Sequence, residues 1–512
     1  MEVFHLGQDW LTTSKVISIA EGRLKPVLKQ EVISKIQNSY QTVQSISFLD
    51  KPVYGINTGF GPLCTTKISL ESLIQLQENL LKSHAVGVGE FLDSFLVKIM
   101  LIAKAHALSL GFSGVRSLVV EKILWLLENE IIPLVPSKGS VGASGDLAPL
   151  SHCFLPLIGL GEVIYNGKII PASQIVMNPI QLQAKEGLAL INGTQFILAH
   201  AVTLVHQGYQ ILSASDLTGA LTVEALSGSA TPFSKELHAV RPFKGNIHVA
   251  NKLFSWINGS SINQSHEDCD RVQDPYSLRC IPQVHGTARD IWLHLKERTE
   301  IELNSVTDNP LVFENEILSG GGFHGQPLAL TLDYAALAFS EIGSIAERRI
   351  YLTLEGNAHG IPKLLISNPG INSGFMIVQY TAAALASENK SLCFPASADS
   401  IPTSLGQEDH VSMGSISGVK ALKILDNVWS ILGIELLTSS QALDFKLPLK
   451  PHPFLHHIHQ EVRKNIPFVE TDVLIGSLVN DSIAFIKSID LNQIQNIYEQ
   501  NHSPYHQLFE VY

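Results

Sequence analysis

The apolar residues of this chain recur mostly three or four positions apart. One example is the stripe of Leu73, Ile74, Leu80 and Leu81, which ends just before His84. Such spacing is typical of an amphipathic helix with one face in a core. The pattern continues through most of the chain, so it predicts a mainly α-helical protein.

Capping residues predict the ends of two N-terminal helices. Asp93 is suited to accept hydrogen bonds from the free amides at the start of a helix over residues 94–110, and Gly111 is suited to end it. A second helix is predicted over residues 117–132, where Pro133 stops it.

The C-terminal part is predicted to hold long helices, several of them apolar on more than one face. Such helices are buried on all sides, which indicates a bundle at the centre of an oligomer. They cover residues 188–226, 284–303, 328–354, 375–390 and 411–444. Strand patterns are confined to residues 161–170 and 311–318. A soft boundary near residue 200 separates a loop-rich domain (1–200) from a long-helix domain (201–512).

The composition supports a soluble assembly with large buried interfaces. Charged residues make up 16% of the 512 residues, against about 25% in an average soluble domain. The 45% share of hydrophobic residues excludes disorder as the main state. The most apolar stretches, 147–160 and 196–205, contain histidine or proline, so no membrane-spanning segment is expected.

Charge and cysteine content narrow the class further. With 35 Lys and Arg against 47 Asp and Glu, the net charge is −12, and no basic run offers a footprint for nucleic acid. The five cysteines include no CxxC pair, which argues against a disulfide framework or zinc ribbon. Acidic residues near the start do not fit a signal peptide. We therefore expect a cytoplasmic protein.

Two motifs invite a cofactor or metal interpretation that their context argues against. Residues 320–325 (GGGFHG) match GxGxxG, but without the strands that a dinucleotide site needs. We expect instead a glycine-rich loop that allows another segment to approach its backbone closely. His452, His456, His457 and His459 lie among prolines, so we expect an exposed loop and no metal site.

The tripeptide Ala143-Ser144-Gly145 indicates a more specific reaction, the cyclisation of its own backbone. A backbone turn can cyclise when an amide nitrogen attacks the carbonyl two residues earlier, and glycine at the attacking position permits the unusual dihedral angles. The serine can lose water and leave an exocyclic methylene, and the small alanine lets the turn tighten. The product would be an electrophile made without an external cofactor. Taken alone, Ala-Ser-Gly is common and usually a plain turn.

The rest of the chain changes that interpretation. Eight ordered segments resemble motifs of the aromatic amino-acid ammonia-lyase family, whose members carry a 4-methylidene-imidazol-5-one (MIO) group. They are 54–61 (YGINTGFG), 141–152 (VGASGDLAPLSH), 190–195 (LINGTQ), 273–283 (QDPYSLRCIPQ), 305–310 (SVTDNP), 320–327 (GGGFHGQP), 371–390 (INSGFMIVQYTAAALASENK) and 407–413 (QEDHVSM). The resemblance implies a fumarase/aspartase-like long-helix bundle, with the MIO in the smaller N-terminal part. It also implies a homotetramer with active sites shared between subunits.

The same resemblance implies roles for single residues. Ala143, Ser144 and Gly145 would form the MIO, with no external cofactor and no metal. Tyr54 would remove the β-proton of the substrate, which requires a pKa below the ordinary value of about 10.

Further residues are implied as contacts of the substrate or the MIO. Arg279 would bind the substrate carboxylate bidentately. Asn192, Gln273 and Tyr276 would lie beside the MIO and the substrate, and Asn192 and Tyr276 could also hold the MIO carbonyl oxygen. Tyr276 is therefore grouped with the catalytic residues.

Two positions favour histidine as the substrate. His84 and Glu408 match the histidine branch of the family, and an imidazole needs such polar partners, which a phenyl ring would leave unpaired. We therefore expect elimination of ammonia from L-histidine to give trans-urocanate, the first step of histidine degradation, with Glu408 among the catalytic residues. Phe323 and Met376 would be pocket walls. Gly322 departs from relatives, which often have asparagine there.

Two alternatives stay open at this point. An MIO-dependent lyase or aminomutase acting on another aromatic amino acid, such as tyrosine, would share these motifs and differ in its product. A catalytically inactive helical scaffold would differ in mass, because MIO formation removes two water molecules.

Overall fold

Helices dominate the computed structural model, which describes residues 2–48, 52–59, 61, 68–266, 272–314, 316–491, 494, 498 and 503–512. The predicted mainly α fold class with long helices is confirmed. The helices are α1 Thr13–Ala20, α2 Gln30–Ser47, α3 Leu70–His84, α4 Ser94–Ser109, α5 Ser117–Glu128, α6 Leu147–Phe154, α7 Glu186–Ile191, α8 Gln195–Ala225, α9 Lys235–Ala239, α10 Lys244–Ile257, α11 Ser261–Gln264, α12 Tyr276–Arg279, α13 Ile281–Leu303, α14 Gln326–Leu354, α15 Met376–Leu392, α16 Gly414–Asp444, α17 Pro453–Asn465, α18 Ile475–Ser488 and α19 His506–Phe509.

The strands are short and form small, separate sheets. They are β1 Glu2–His5, β2 Leu24–Val27, β3 Val88–Phe91, β4 Ile132–Pro133, β5 Pro136–Lys138, β6 Glu162–Tyr165, β7 Lys168–Pro171, β8 Leu311–Phe313 and β9 Glu316–Leu318. β1 and β2 pair in parallel, whereas β3–β5, β4–β6–β7 and β8–β9 are antiparallel. The strands predicted at 161–170 and 311–318 are confirmed. The expectation that strands are confined to them is wrong, because β1–β5 also pair, in small sheets of two or three strands.

The predicted ends of α4 are correct, whereas the predicted end of α5 is not. The side chain of Asp93 accepts a hydrogen bond from the amide of Phe95 at the start of α4, and Gly111 follows its end with a φ of 78°. Both predictions are confirmed. The predicted extension of α5 to residue 132 is wrong, because Ile132 and Pro133 pair with β6 instead.

The long helix predicted over residues 188–226 is interrupted. α7 ends at Ile191 and α8 begins at Gln195, because Gly193 between them has a φ of 127° that no α-helix accepts. The other four long helices agree with their predicted bounds to within a few residues. The interruption leaves Asn192 outside both helices.

The histidine-rich segment is a helix rather than the expected exposed loop. His452 caps α17, and its side chain accepts a hydrogen bond from the amide of Phe454. Pro453 is compatible with this helix because the first helical residue needs no N–H donor. Within the described residues, no group of three or more His, Cys, Asp or Glu side chains is placed to hold a metal ion.

The chain divides into two compact units. The first consists of Met1–His206, Leu295–Asp333 and Pro395–Lys420, and the second of Gln207–His294, Tyr334–Phe394 and Ala421–Tyr512. The domain boundary near residue 200 stays a prediction. In the packed units, two later segments are grouped with the N-terminal part.

The first unit carries all the described strands and several tight glycine turns. One of its hydrophobic clusters joins Ala143 to Val411 and Met413. This cluster anchors the tripeptide singled out in the sequence to a segment more than two hundred residues away.

The second unit is built from long helical segments that bury charged pairs. Arg289 donates to Asp216 at 2.7 Å, and Lys252 donates to Glu510 at 2.8 Å. All four side chains are buried. A buried charge is tolerated when it is paired and hydrogen-bonded, as these are.

One described helix, α14, is long and apolar enough to cross a membrane, but 67% of its apolar window is buried inside the protein, as in the core of a soluble protein. Its outer face exposes Leu330, Tyr334 and Leu337, and α15 exposes Ile377 and Tyr380. These side chains form apolar surface that the monomer leaves uncovered.

Candidate active site

A cavity of about 650 Å³ opens in the first unit and contains most of the predicted site. Its lining includes Tyr54, His84, Ala143, Ser144, Asn192, Phe323 and Glu408. These residues come from six separate segments of sequence. The described structure therefore brings together the tripeptide, the predicted base and both predicted imidazole contacts.

The tripeptide lies in a turn that depends on two glycines, one just before it and one at its third position. Gly142 and Gly145 have φ values of 66° and 74°, in the left-handed region. A Cβ at Gly145 would lie 2.2 Å from the carbonyl oxygen of Gly193, so even alanine would force the two segments apart. Ala143 is buried, whereas Ser144 is half-buried and faces the cavity.

Hydrogen bonds from distant segments hold both sides of this turn. On one side, Ser412 Oγ donates to the carbonyl of Gly142 at 2.9 Å, and the amide of Met413 donates to the carbonyl of Val141 at 2.8 Å. On the other side, the amide of Asp146 donates to the carbonyl of Gly193 at 2.7 Å. The turn is therefore held in place by tertiary contacts.

Asn192 makes the most direct contact with the tripeptide. Its Nδ2 donates to the carbonyl oxygen of Ser144 at 2.6 Å. Its Oδ1 is buried and has no hydrogen-bond partner among the described residues. Buried polar atoms without partners are rare, and a binding site is one common reason for them.

Two charged side chains are buried behind the turn. Lys104 donates to the backbone carbonyls of Asn192 at 2.7 Å and Ala189 at 3.0 Å. The carboxylate of Asp146 accepts from the amide of Ile197 at 3.0 Å and from Ser140 Oγ at 2.9 Å. Burial lowers the pKa of Lys104 to about 7 and raises the pKa of Asp146 to about 7.

His84 and Glu408 provide the polar groups expected for an imidazole. Burial lowers the pKa of His84, although a hydrogen bond from its ring to the Leu80 backbone carbonyl and the charge of Glu408 act in the opposite direction. Glu408 is half-buried, and its Oε2 accepts a hydrogen bond from Thr403 Oγ1 at 2.6 Å. Neutral histidine beside an anchored carboxylate offers both donor and acceptor sites.

Tyr54 lies half-buried on the cavity wall in a turn with little free space. Gly55 has a φ of 74°, and a Cβ there would lie 2.7 Å from the ring of Pro310. The close approach of Pro310 explains why glycine follows the tyrosine. Phe60, in the same motif, lies outside the described residues.

The lining also includes residues to which the sequence analysis assigned no role, among them Asn309, His324 and His410. Asn309 Oδ1 accepts from the amide of Gly320 at 2.7 Å, which fixes the loop that carries Phe323. His324 Nε2 lies 3.2 Å from the carbonyl of His410, and the two rings stack with centroids 5.8 Å apart. All three residues lie inside segments that resemble family motifs, and that resemblance is the signal by which the sequence could have identified them.

The other four predicted residues belong to the second unit. Gln273 and Tyr276 are exposed, the latter at 76%, and Arg279 and Met376 are half-buried. Tyr276 and Arg279 begin and end the short helix α12, and Met376 begins α15. Their roles at the substrate stay predictions.

Comparisons with known proteins identify the family. The sequence profile of the family described as "Aromatic amino acid lyase" matches residues 11–464. This chain belongs to that family. It is 44% identical over 495 residues to "Histidine ammonia-lyase 2" of Fusobacterium nucleatum subsp. nucleatum, covering 95% of this chain and 97% of the relative. The predicted family is therefore confirmed.

Two solved structures share the fold over nearly the whole chain. Histidine ammonia-lyase from Trypanosoma cruzi superposes with a TM-score of 0.90 at 36% identity, covering 99% of this chain and 98% of that one. Tyrosine aminomutase from Streptomyces globisporus superposes with a TM-score of 0.91 at 32% identity, covering 98% and 100%. The long-helix fold is thus common to a lyase and an aminomutase.

Proposed function

We propose that this protein is a histidine ammonia-lyase, which eliminates ammonia from L-histidine to give trans-urocanate in the first step of histidine degradation. The observation that carries the proposal is one cavity that holds His84, Glu408 and the Ala143-Ser144-Gly145 turn. The similarity to proteins named histidine ammonia-lyase supports it.

The turn fits an MIO group made from the chain itself. In its formation, the nitrogen of Gly145 bonds to the carbonyl carbon of Ala143, whose oxygen leaves as water. A second water takes Oγ and the α-hydrogen of Ser144, which leaves a methylene. The left-handed Gly145 and the hydrogen bond from Asn192 to the Ser144 carbonyl suit this closure. We propose that no external cofactor is needed, since the finished group supplies the electrophile for the substrate.

The polar cavity wall would select the imidazole ring. His84 and Glu408 can pair with the two ring nitrogens of histidine. A phenyl or phenol ring would leave at least one of these groups without a partner, and an unpaired buried polar group costs about 1–3 kcal/mol. Phe323 would cover the ring as an apolar wall.

The remaining steps belong to groups that hold the substrate and move its proton. Tyr54 would take the β-proton, because it lines the same cavity as the turn. Arg279 would bind the carboxylate, and Gln273 and Tyr276 would complete the polar shell. Met376 would be a wall residue.

We propose a cytoplasmic homotetramer in which subunits share active sites. The exposed apolar face of α14, with Leu330, Tyr334 and Leu337, is the kind of surface that a partner helix covers. The 76% exposure of Tyr276 in the monomer suits a residue that reaches its substrate only after assembly. No nucleic acid or membrane partner enters this proposal.

The direct test is to mix the purified protein with L-histidine and to follow urocanate absorbance and ammonia release. Ser144→Ala should abolish product formation without unfolding the protein, because no methylene can form. Ser173→Ala, at an exposed serine of the same unit, is the matched control and should remain active. An active Ser144→Ala protein would refute the MIO mechanism.

A second candidate is an aminomutase or lyase acting on another aromatic amino acid, as the likeness to tyrosine aminomutase suggests. Such an enzyme would consume tyrosine and leave histidine unchanged, and an aminomutase would yield a β-amino acid. Chromatographic identification of the products from each substrate, as an alkenoic acid or a β-amino acid, separates these outcomes.

A further inference from the structure

Lys104 is an unusual charged residue in the first unit. Its side chain is 1% exposed and lies on α4, whose neighbouring residues are almost all buried. Within the described residues it forms no ion pair, and its Nζ donates only to backbone carbonyls. A lysine in such a place loses its hydration without gaining a carboxylate partner, which makes a purely stabilising role expensive.

The carbonyls that Lys104 binds lie at the interruption between α7 and α8. Nζ is 2.7 Å from the carbonyl oxygen of Asn192 and 3.0 Å from that of Ala189. A Cβ built on Gly193 would lie 3.2 Å from the same Nζ. Nζ therefore supports the Asn192 carbonyl, and with it the peptide that joins Asn192 to Gly193, from one side.

The same two residues hold the tripeptide turn on their other side. Asn192 Nδ2 donates to the carbonyl of Ser144 at 2.6 Å, and the carbonyl of Gly193 accepts from the amide of Asp146 at 2.7 Å. Only two hydrogen bonds in series therefore separate Lys104 from the backbone that would cyclise. The side chain touches none of the reacting atoms.

We propose that Lys104 is a positioning residue for MIO formation: by holding the Asn192–Gly193 backbone, it keeps the Ala143-Ser144-Gly145 turn closed while the Gly145 nitrogen bonds to the Ala143 carbonyl carbon. This inference rests on the proposed function. Cyclisation requires the two atoms to stay within bonding distance, and a turn held in place loses little further entropy on closure. Without the Nζ donor, the Asn192–Gly193 backbone would lose this support and the turn would sample open forms.

A structural alternative is that Lys104 only caps the end of α7. Lysine near the last carbonyls of a helix stabilises it through hydrogen bonds and the helix dipole. That role predicts a loss of stability but a normally dehydrated tripeptide in every molecule that folds. The mass of the tripeptide therefore distinguishes the two roles.

The experiment compares Lys104→Met with wild-type protein and with Lys446→Met. Lys446 is also buried and donates to Ser227 Oγ at 2.8 Å and to the His359 carbonyl at 2.7 Å, but in the second unit. After digestion, mass spectrometry gives the fraction of the 143–145 peptide that has lost two waters. The time course after refolding gives the rate of that loss, and circular dichroism reports folding.

We expect folded Lys104→Met to dehydrate at least about tenfold more slowly than wild type, as for the loss of a hydrogen bond from a charged group. Its kcat per total protein should fall with the dehydrated fraction, at unchanged KM. Lys446→Met should dehydrate at the wild-type rate once folded. If Lys104→Met is insoluble, Lys104→Gln, whose amide falls one bond short, takes its place with the same expectation.

Other outcomes overturn the proposal in distinguishable ways. Full dehydration of folded Lys104→Met or Lys104→Gln at the wild-type rate would leave Lys104 as a helix cap. An equal slowing in Lys446→Met would make the effect a general cost of losing a buried lysine. Failure of both Lys104 variants to fold would assign the residue to structure. An undehydrated wild-type peptide would instead overturn the proposed function, and this inference with it.

Discussion

The buried charges around the turn of the first unit have different partners from those of one buried cluster in the second unit. In the second unit, Asp216 accepts from Arg289 at 2.7 Å, and Glu510 accepts from Lys252 at 2.8 Å. Around the turn of the first unit, by contrast, Lys104 donates only to backbone carbonyls. Asp146 lies near it but accepts its hydrogen bonds from amides and a hydroxyl. Burial is the same in both places, but ion pairing is not.

The pKa directions follow from this difference. Burial raises the pKa of Asp146 to about 7, and its hydrogen bonds and Lys104 do not offset this. Burial would also raise the pKa of Asp216, but Arg289, the hydrogen bond from His285 and Lys252 outweigh it and lower the pKa. Groups that titrate near neutrality are common at functional sites, whereas fully paired charges are common in structural networks. By this criterion the first cluster is a candidate for a role at the site, whereas the ion-paired cluster is typical of a structural network.

The largest effect should come from Gly145→Ala in the turn. The new Cβ would lie 2.2 Å from the Gly193 carbonyl oxygen at a φ of 74°, so the turn cannot keep its shape. We expect activity to fall about a thousandfold or more, as when a group of the catalytic centre is removed. Urocanate formation and the mass of the tripeptide are the measurements. Gly167→Ala is the control, since that glycine has a φ of 72° but nothing within 4 Å, and it should keep activity and dehydration.

Asp216→Asn should have the next largest effect, on stability alone. It leaves Arg289 without its 2.7 Å carboxylate partner, and breaking a buried pair costs about 3–5 kcal/mol. Denaturant unfolding should show this loss, while the folded fraction keeps a dehydrated tripeptide. Glu461→Gln, which removes an exposed pair with Lys464, should leave the midpoint unchanged. If Asp216→Asn were as stable as wild type, the buried pair with Arg289 would not have the stabilising role inferred for it.

Glu408→Gln should weaken selection of the substrate. The amide still accepts from Thr403, which holds the carboxylate at 2.6 Å, so the segment should keep its shape while the charge is lost. We expect kcat/KM for L-histidine to fall about 10- to 100-fold, with a smaller change for L-phenylalanine. Asp399→Asn, at an exposed carboxylate of the same segment, is the control. Equal losses for both substrates would argue against an imidazole contact.

The smallest effect concerns Glu224, a buried carboxylate of the second unit without the pairing seen at Asp216. Burial raises its pKa from 4.5 to about 8, although hydrogen bonds from Ser260 and the His452 amide oppose this. The folded state therefore holds the proton more tightly, and stability present below pH 4.5 is lost as the pH rises to about 8. Glu224→Gln has no proton to lose, so its Tm should fall by a few degrees less than that of wild type between pH 5 and 8. If the Tm values of wild type and Glu224→Gln fell equally between pH 5 and 8, the raised pKa of Glu224 would be contradicted.

Local chemistry in the sequence predicted part of this fold well. The cap at Asp93 and the stop at Gly111 depend on neighbouring residues only, and both are confirmed. The interruption at Gly193 was missed because apolar periodicity continues across it. The exposed loop expected for His452 and its neighbours was wrong, because proline is accepted in the first turn of a helix.

The candidate site was predictable where motifs carry it. Tyr54, Asn192 and Glu408 lie in matched segments, and His84 matches the histidine branch of the family. The cavity brings all four together with the turn. Lys104 lies outside every matched segment. Its only signal was a lysine that directly follows the apolar run of residues 99–103 in α4, and its hydrogen-bond partners come from residues far away in sequence.

The contacts that hold the turn also set an order of events during synthesis. The carbonyl of Gly142 accepts hydrogen bonds from the amide of Gly325 and from Ser412 Oγ, and Val141 accepts from Met413. A growing chain therefore lacks part of the frame around residues 143–145 until residue 413 has left the ribosome. On the proposed route the tripeptide matures only after translation of nearly the whole chain. The loss of two waters from the tripeptide is covalent and would persist after denaturation. Mass measurement of a denatured sample would then show which molecules had once folded.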